Sequence, residues 1–116
     1  MRDHNKLRAF ETTDDVTIMI YKITSLFPKE EMFGLTNQMR RAAVSTPSNI
    51  VEGCARKSQK EYLNFLNIAF GSLRELHYQF GLSCRLGYIS INDAEECEPK
   101  IIEAEKVLSA LIRSFN

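Results

Sequence analysis

The residues of this chain able to bind a metal or move a proton are two histidines, three cysteines and fifteen acidic residues. Their spacing argues against both roles. A di-iron carboxylate bundle uses two Glu-x-x-His units plus two further inward-facing glutamates. Here Arg74, not a glutamate, stands three residues before His77, and His4 lies close to the start of the chain. His77 therefore reads as a surface or interfacial histidine. Cys54, Cys84 and Cys97 are odd in number and far apart, with no CxxC, so neither a disulfide framework nor a zinc site is expected. Each cysteine reads as a small buried hydrophobe, and the set fits a reducing cytoplasm. A nucleophilic serine or cysteine needs a base and an orienting group, and nothing in the spacing supplies them. Gly34, Gly53, Gly71, Gly81 and Gly87 are isolated, which excludes a glycine-rich phosphate loop. The expectation is a protein that is not an enzyme, with no cofactor, no metal and no small-molecule substrate.

Charge is the remaining chemistry. Lysine plus arginine and aspartate plus glutamate each number fifteen, so the net charge is zero and no global field draws in nucleic acid or membrane. The distribution is uneven, however. Residues 36–60 carry Arg40, Arg41, Arg56, Lys57 and Lys60 against the single acid Glu52, whereas residues 88–116 carry six acids against three bases. The five bases form a candidate surface for a phosphate backbone or an acidic partner, with Arg74 and Arg85 as secondary candidates. The plainer alternative is a set of solvated faces and intramolecular pairs, Arg40 and Arg41 meeting Glu52, Glu75 or acids near the C-terminus. Aromatic residues do not interleave with these bases, so base-specific readout is not expected.

Four helices must position these groups. Phe10, Val16, Ile20, Ile23 and Phe27 form one stripe at three/four spacing, widened by Met19 and Leu26, over about Ala9 to Leu26, and Pro28 stops that helix. A second helix is predicted from Lys29-Glu30-Glu31, with Leu35, Met39, Ala42, Ala43, Thr46, Ile50 and Cys54 on its inner face. Pro47 falls inside it and frees the carbonyl of Ala43, so this helix is expected to kink, with Ser45, Thr46, Ser48 and Asn49 near enough to satisfy freed groups. Two short helices joined by a Thr-Pro-Ser turn are the alternative. Ala43, Pro47, Asn49 and Gly53 mark the kink and close packing, since small residues let backbones approach. Ser58 with Glu61 makes a capping box for a third helix, whose stripe is Tyr62, Phe65, Leu66, Ala69, Leu73, Leu76 and Phe80 and whose end is Gly87. The fourth starts after Ser90 or Asn92 and runs nearly to Phe115 on Ile101, Ala104, Leu108 and Leu111, with a break or a first turn near Pro99.

Short connections make sequential helices antiparallel neighbours. The fold class expected is all-α, an up-down antiparallel four-helix bundle with its second helix kinked at Pro47. It forms one domain over residues 1–116, with residues 1–8 as a flexible tail. That N-terminal stretch has no apolar segment of the kind a secretory leader carries. No apolar run approaches the roughly 18 residues of a membrane span. More apolar residues are present than one stripe per helix requires. Leu63, Phe70, Ile102 and Val107 are expected to stay partly exposed and to support self-association.

The chain resembles the small bacterial four-helix-bundle proteins named after intervening sequences in 23S ribosomal RNA genes. The residues that carry the resemblance are Tyr21-Lys-Ile-Thr, Phe27-Pro28, Phe33-Gly-Leu-Thr, Gln38-Met-Arg-Arg-Ala-Ala43, Ser45, Pro47-Ser-Asn-Ile50 and Glu52-Gly53. To these are added Phe65-Leu66, Ile68-Ala69, Gly71-Ser72-Leu73, Glu75-Leu76 and Leu86-Gly87-Tyr88. The resemblance implies a homopentamer arranged as a ring or barrel, with no known catalytic activity. A related bundle, the accessory protein of diversity-generating retroelements, binds a reverse transcriptase and nucleic acid, so RNA or a reverse transcriptase is an implied partner by analogy of fold. Thr46 stands where that family tends to an aliphatic residue, Val51 where it has alanine, and His77-Tyr78 where it has a more polar pair.

Overall fold

The three/four spacing of apolar residues resolves into four helices in a computed structural model that describes residues 2–115. They are α1 (Arg8–Thr24), α2 (Leu35–Cys54), α3 (Gln59–Arg85) and α4 (Ile91–Arg113). Among the described residues there is no strand, and no helix is long and apolar enough to cross a membrane. α1 packs on α2 and α4, and α3 packs on α2 and α4, while the diagonal pairs make no close backbone contact. This is the square arrangement of an antiparallel bundle. α3, with 27 residues, is about 40 Å long at ~1.5 Å per residue, and the longest dimension of the molecule is 43 Å.

Local chemistry sets the ends of each helix. Ser58 caps α3 by accepting the Glu61 backbone N–H at 3.1 Å, and its hydroxyl also donates to Glu61 Oε1. Ser90 caps α4 in the same way through Asp93. α3 ends at Gly87, the one described residue with positive φ, at 81°. There the Gly87 N–H reaches Cys84 O and the Tyr88 N–H reaches Ser83 O, at 3.0 and 2.9 Å. That pair of bonds is the left-handed stop that glycine makes without strain.

Two expectations are corrected. α2 does not start at Lys29: Lys29–Glu31 form a separate 3₁₀ turn, and α2 opens after Gly34, where Glu31 Oε1 accepts the Leu35 N–H at 3.1 Å. Glu31 therefore caps the helix from outside instead of standing in its first turn. α4 is not broken at Pro99 but runs through it as one helix. As expected, Leu63, Phe70 and Val107 stay partly exposed while packing against the core, and Ile102 is exposed. The most exposed large apolar side chains are Phe33 (91%), Ile91 (78%) and Leu26 (73%), all at one end of the bundle.

The core follows the predicted stripes. Val16, Ile20 and Ile23 of α1 are buried with Phe27 just beyond it, and so is the whole inner row of α2 from Leu35 to Cys54. Tyr62, Leu66, Ala69, Leu73, Leu76 and Phe80 from α3 complete it with Ile101, Ala104 and Leu108 from α4. Each large apolar side chain buried here contributes about 1.5–3 kcal/mol. Three buried threonines avoid unmet polar atoms by donating to the carbonyl one turn back: Thr13 to Ala9, Thr24 to Ile20 and Thr46 to Ala42. The segment expected as a tail lies against the bundle. His4–Lys6 form a short 3₁₀ turn, Arg2 donates to Arg56 O at 3.1 Å, and its guanidinium stacks 4.1 Å from the Tyr62 ring centroid. Arg8 already belongs to α1.

Candidate partner-binding surface

The five basic residues do not form one patch. Arg40 and Arg41 lie in the first half of α2, whereas Arg56 and Lys57 follow its end and Lys60 opens α3. Thirteen helical positions separate Arg41 from Cys54, which places the two groups about 20 Å apart along the bundle.

Within each group the residues behave differently, because neighbours on a helix point about 100° apart. Arg40 turns toward α1. Its Nε donates to Thr24 Oγ1 at 2.9 Å, its Nη2 to Tyr21 O at 3.3 Å, and its guanidinium sits 4.8 Å from the Tyr21 ring centroid. It is a tie between α2 and the last turn of α1. Arg41 turns outward, is exposed, and has no carboxylate within ion-pair distance among the described residues. It stands between two shallow depressions, one lined by Phe33, Asn37, Gln38, Ser45, Ser72 and Glu75 and the other by Tyr21, Asn37, Arg40 and Val44. Arg56 pairs with Glu52 one turn back and lies 4.9 Å from the Phe65 ring centroid. Lys57 and Lys60 are exposed and make no ion pair among the described residues.

The region around Pro47 is a close helix-packing site. Ala43 is buried, and its carbonyl, which has lost the backbone donor at Pro47, lies 2.9 Å from Thr17 Oγ1 of α1. Asn49 Nδ2 donates to Ser45 O at 2.8 Å, and Ser45 Oγ lies 2.9 Å from Ser72 Oγ across the α2–α3 contact. α2 continues through Pro47 as one helix, not as two short helices joined by a turn. At Gly53 an added Cβ would stand 2.9 Å from Phe65 Cβ and 3.3 Å from Tyr62 O, so this glycine marks a close approach of α2 and α3.

Other contacts escape sequence reasoning. Thr17 as partner of the freed carbonyl is one, since the expected donors were all on α2 itself. A second is a polar cluster linking α3 to α4: Arg74 Nη1 lies 2.7 Å from Glu105 Oε2, and His77 contacts both Glu105 and Glu98. Arg74 and His77 are three apart and Glu98 and Glu105 seven apart, so each pair lies on one helix face. That spacing is the signal that would have found it. All three cysteines are free, with thiols pushed up first of all by burial. Among the described residues no group of three His, Cys, Asp or Glu side chains is placed to hold a metal.

Fold and residue pattern together define an all-helical bundle family. A family model described as 23S rRNA-intervening sequence protein matches residues 5–110, and the chain belongs to that family. A search of curated proteins gives no match. Among solved structures, the chain is similar to a protein of unknown function from the S23 ribosomal protein family of Bacteroides thetaiotaomicron. The two are 24% identical with a TM-score of 0.82, covering 90% of this chain and 95% of that one. At that identity the likeness speaks for the fold.

Proposed function

We propose that this protein is a non-catalytic, self-associating helical scaffold, a pentamer by family resemblance, that binds RNA or a nucleic-acid-processing protein through basic surface residues. The observation that carries the reading is the exposure of Arg41, Lys57 and Lys60 without carboxylate partners among the described residues. Cations left free of internal pairs are the ones able to displace counterions from phosphates. Arg40 and Arg56 are committed to contacts inside the chain, so their part is to hold the surface. On one subunit these three cations make two separate weak sites, Arg41 and the Lys57–Lys60 pair. Repetition around a symmetric assembly makes them strong, because linked weak contacts multiply.

The test is RNA binding by the purified assembly, followed by fluorescence anisotropy over a range of salt. Affinity should fall as salt rises, and Arg41→Glu or the pair Lys57→Glu with Lys60→Glu should weaken binding at least tenfold with the helical signal unchanged. Binding that is absent, or indifferent to salt, removes the phosphate-contact reading. What then stands is an assembly module with structural arginines and no nucleic acid, a reading favoured by the internal engagement of Arg40 and Arg56. In that case Arg41→Glu breaks the oligomer.

A further inference from the structure

We propose that the Glu98–His77–Glu105 cluster is a pH-sensitive latch, which holds the first half of α4 against α3 and releases it as pH rises. Nδ1 of His77 lies 2.9 and 3.0 Å from the two carboxylate oxygens of Glu105, and Nε2 lies 3.0 Å from Glu98 Oε2. A neutral imidazole has one N–H, so only the imidazolium donates on both sides. Burial alone favours the neutral ring and is the largest single influence, yet the hydrogen bonds and charges of Glu98 and Glu105 together outweigh it and raise the His77 pKa.

The two carboxylates are not equivalent. Glu105 is buried and also takes the Arg74 guanidinium at 2.7 Å, while the Glu98 side chain is 47% exposed and has no other partner among the described residues. When His77 loses a proton, a single N–H remains for two acceptors. The desolvated Glu105 keeps it on Nδ1, because a buried carboxylate that loses a donor cannot replace it with water, whereas the exposed Glu98 can. The Nε2 lone pair then faces the Glu98 carboxylate, two electron-rich atoms at hydrogen-bond distance, and Glu98 turns to water.

What Glu98 pins is a lightly covered part of the bundle, in which only Ala94 and Cys97 rest against the core. None of residues 91–100 is buried; the buried residues of α4 are Ile101, Ala104, Glu105 and Leu108, all beyond Pro99. Pro99 supplies no N–H to the carbonyl of Glu95, which leaves a natural pivot. Between this half of α4 and α1 runs a groove of about 470 Å³, lined by Ile18, Met19 and Leu26 on one side and Glu96, Cys97 and Lys100 on the other. The charged groups facing His77 are Glu98 and Glu105 from α4 and, through Glu105, Arg74 of its own helix. Cys84 of α3 feels Glu98 as well, its thiol pushed up by burial and then by that carboxylate. No group of α1 or α2 contributes to the shift of His77. Release would free the groove face of α4 while Ile101 to Leu108 stay anchored.

Hydrogen exchange of the full chain, corrected for the intrinsic pH dependence of the rate, tests the latch between about pH 6 and about pH 9, with the His77 ring followed by NMR. Protection of residues 91–98 should fall about tenfold or more as His77 titrates, with protection of Leu66 to Leu76 unchanged. His77→Gln should give the low value at both pH values. Glu98→Gln, which leaves the His77–Glu105–Arg74 set in place, should also remove the pH dependence, and it carries the test if His77→Gln fails to fold. Protection of 91–98 that is constant through the His77 titration, a His77 that does not titrate in this range, or an equal loss in every helix overturns the proposal.

Discussion

Thr17 resolves the problem that Pro47 creates. A proline in mid-helix leaves one carbonyl without its donor, and an unmet buried acceptor is destabilising. The hydroxyl of Thr17 lies 2.9 Å from both Thr13 O and Ala43 O. Thr13 O already has its helical partner, so the bond to Ala43 is the one that matters. Thr17→Val should lower stability by about 1–3 kcal/mol in urea unfolding. In a Pro47→Ala background, where residue 47 regains its N–H, the same change should cost less than half as much. An equal loss in both backgrounds would mean that Thr17 acts only by packing. Arg40 and Arg41 make the same point about neighbours: the first is bound to Thr24 and Tyr21, the second is free. Arg40→Ala should therefore reduce stability by about 1 kcal/mol or more, while Arg41→Ala should change it by less than about 0.5 kcal/mol, both read from thermal melts.

At the scale of elements, the contact of α2 with α3 depends on Gly53. Alanine is the better helix former by about 1 kcal/mol, which by itself predicts stabilisation. The added Cβ would meet Phe65 Cβ at 2.9 Å and Tyr62 Cδ1 at 3.2 Å, groups held by the facing helix. Separation of the helices should outweigh propensity, and Gly53→Ala should lose about 1–2 kcal/mol net. The α3–α4 contact gives a pH signature. His77 has a folded pKa raised above its ordinary 6.5, so its stabilisation is complete below that ordinary value and is lost as pH rises through the raised one. Denaturant midpoints measured stepwise from about pH 6 upward should fall for the native protein, and His77→Gln should flatten that slope.

For the whole molecule, Phe33, Ile91 and Leu26 stand out at one end of the bundle as more exposed than Tyr78, Met32, Ile18, Ile68 and Leu86, which also remain at the surface. Surface of that kind is what self-association covers. Sedimentation at micromolar concentration should find an oligomer, and Phe33→Ser with Leu26→Ser should shift it toward the single subunit while the helical content stays the same. A native chain that sediments as a stable single subunit would remove the proposed scaffold and the pooled charge that depends on it.

Helix number, the inner faces, the capping serines and the stop at Gly87 were all legible in the sequence. They depend on periodicity and on hydrogen bonds a few residues long, which the local sequence spells out. The start of α2 was misread because an acidic run suits both a first helical turn and an external cap, and only the backbone at Gly34 separates the two. Which of Arg40 and Arg41 is free, that Thr17 serves Ala43, and that His77 lies between two glutamates of another helix were decided by the tertiary structure alone. Each depends on how two helices are rotated against one another, and that rotation is set by the packing of the whole core.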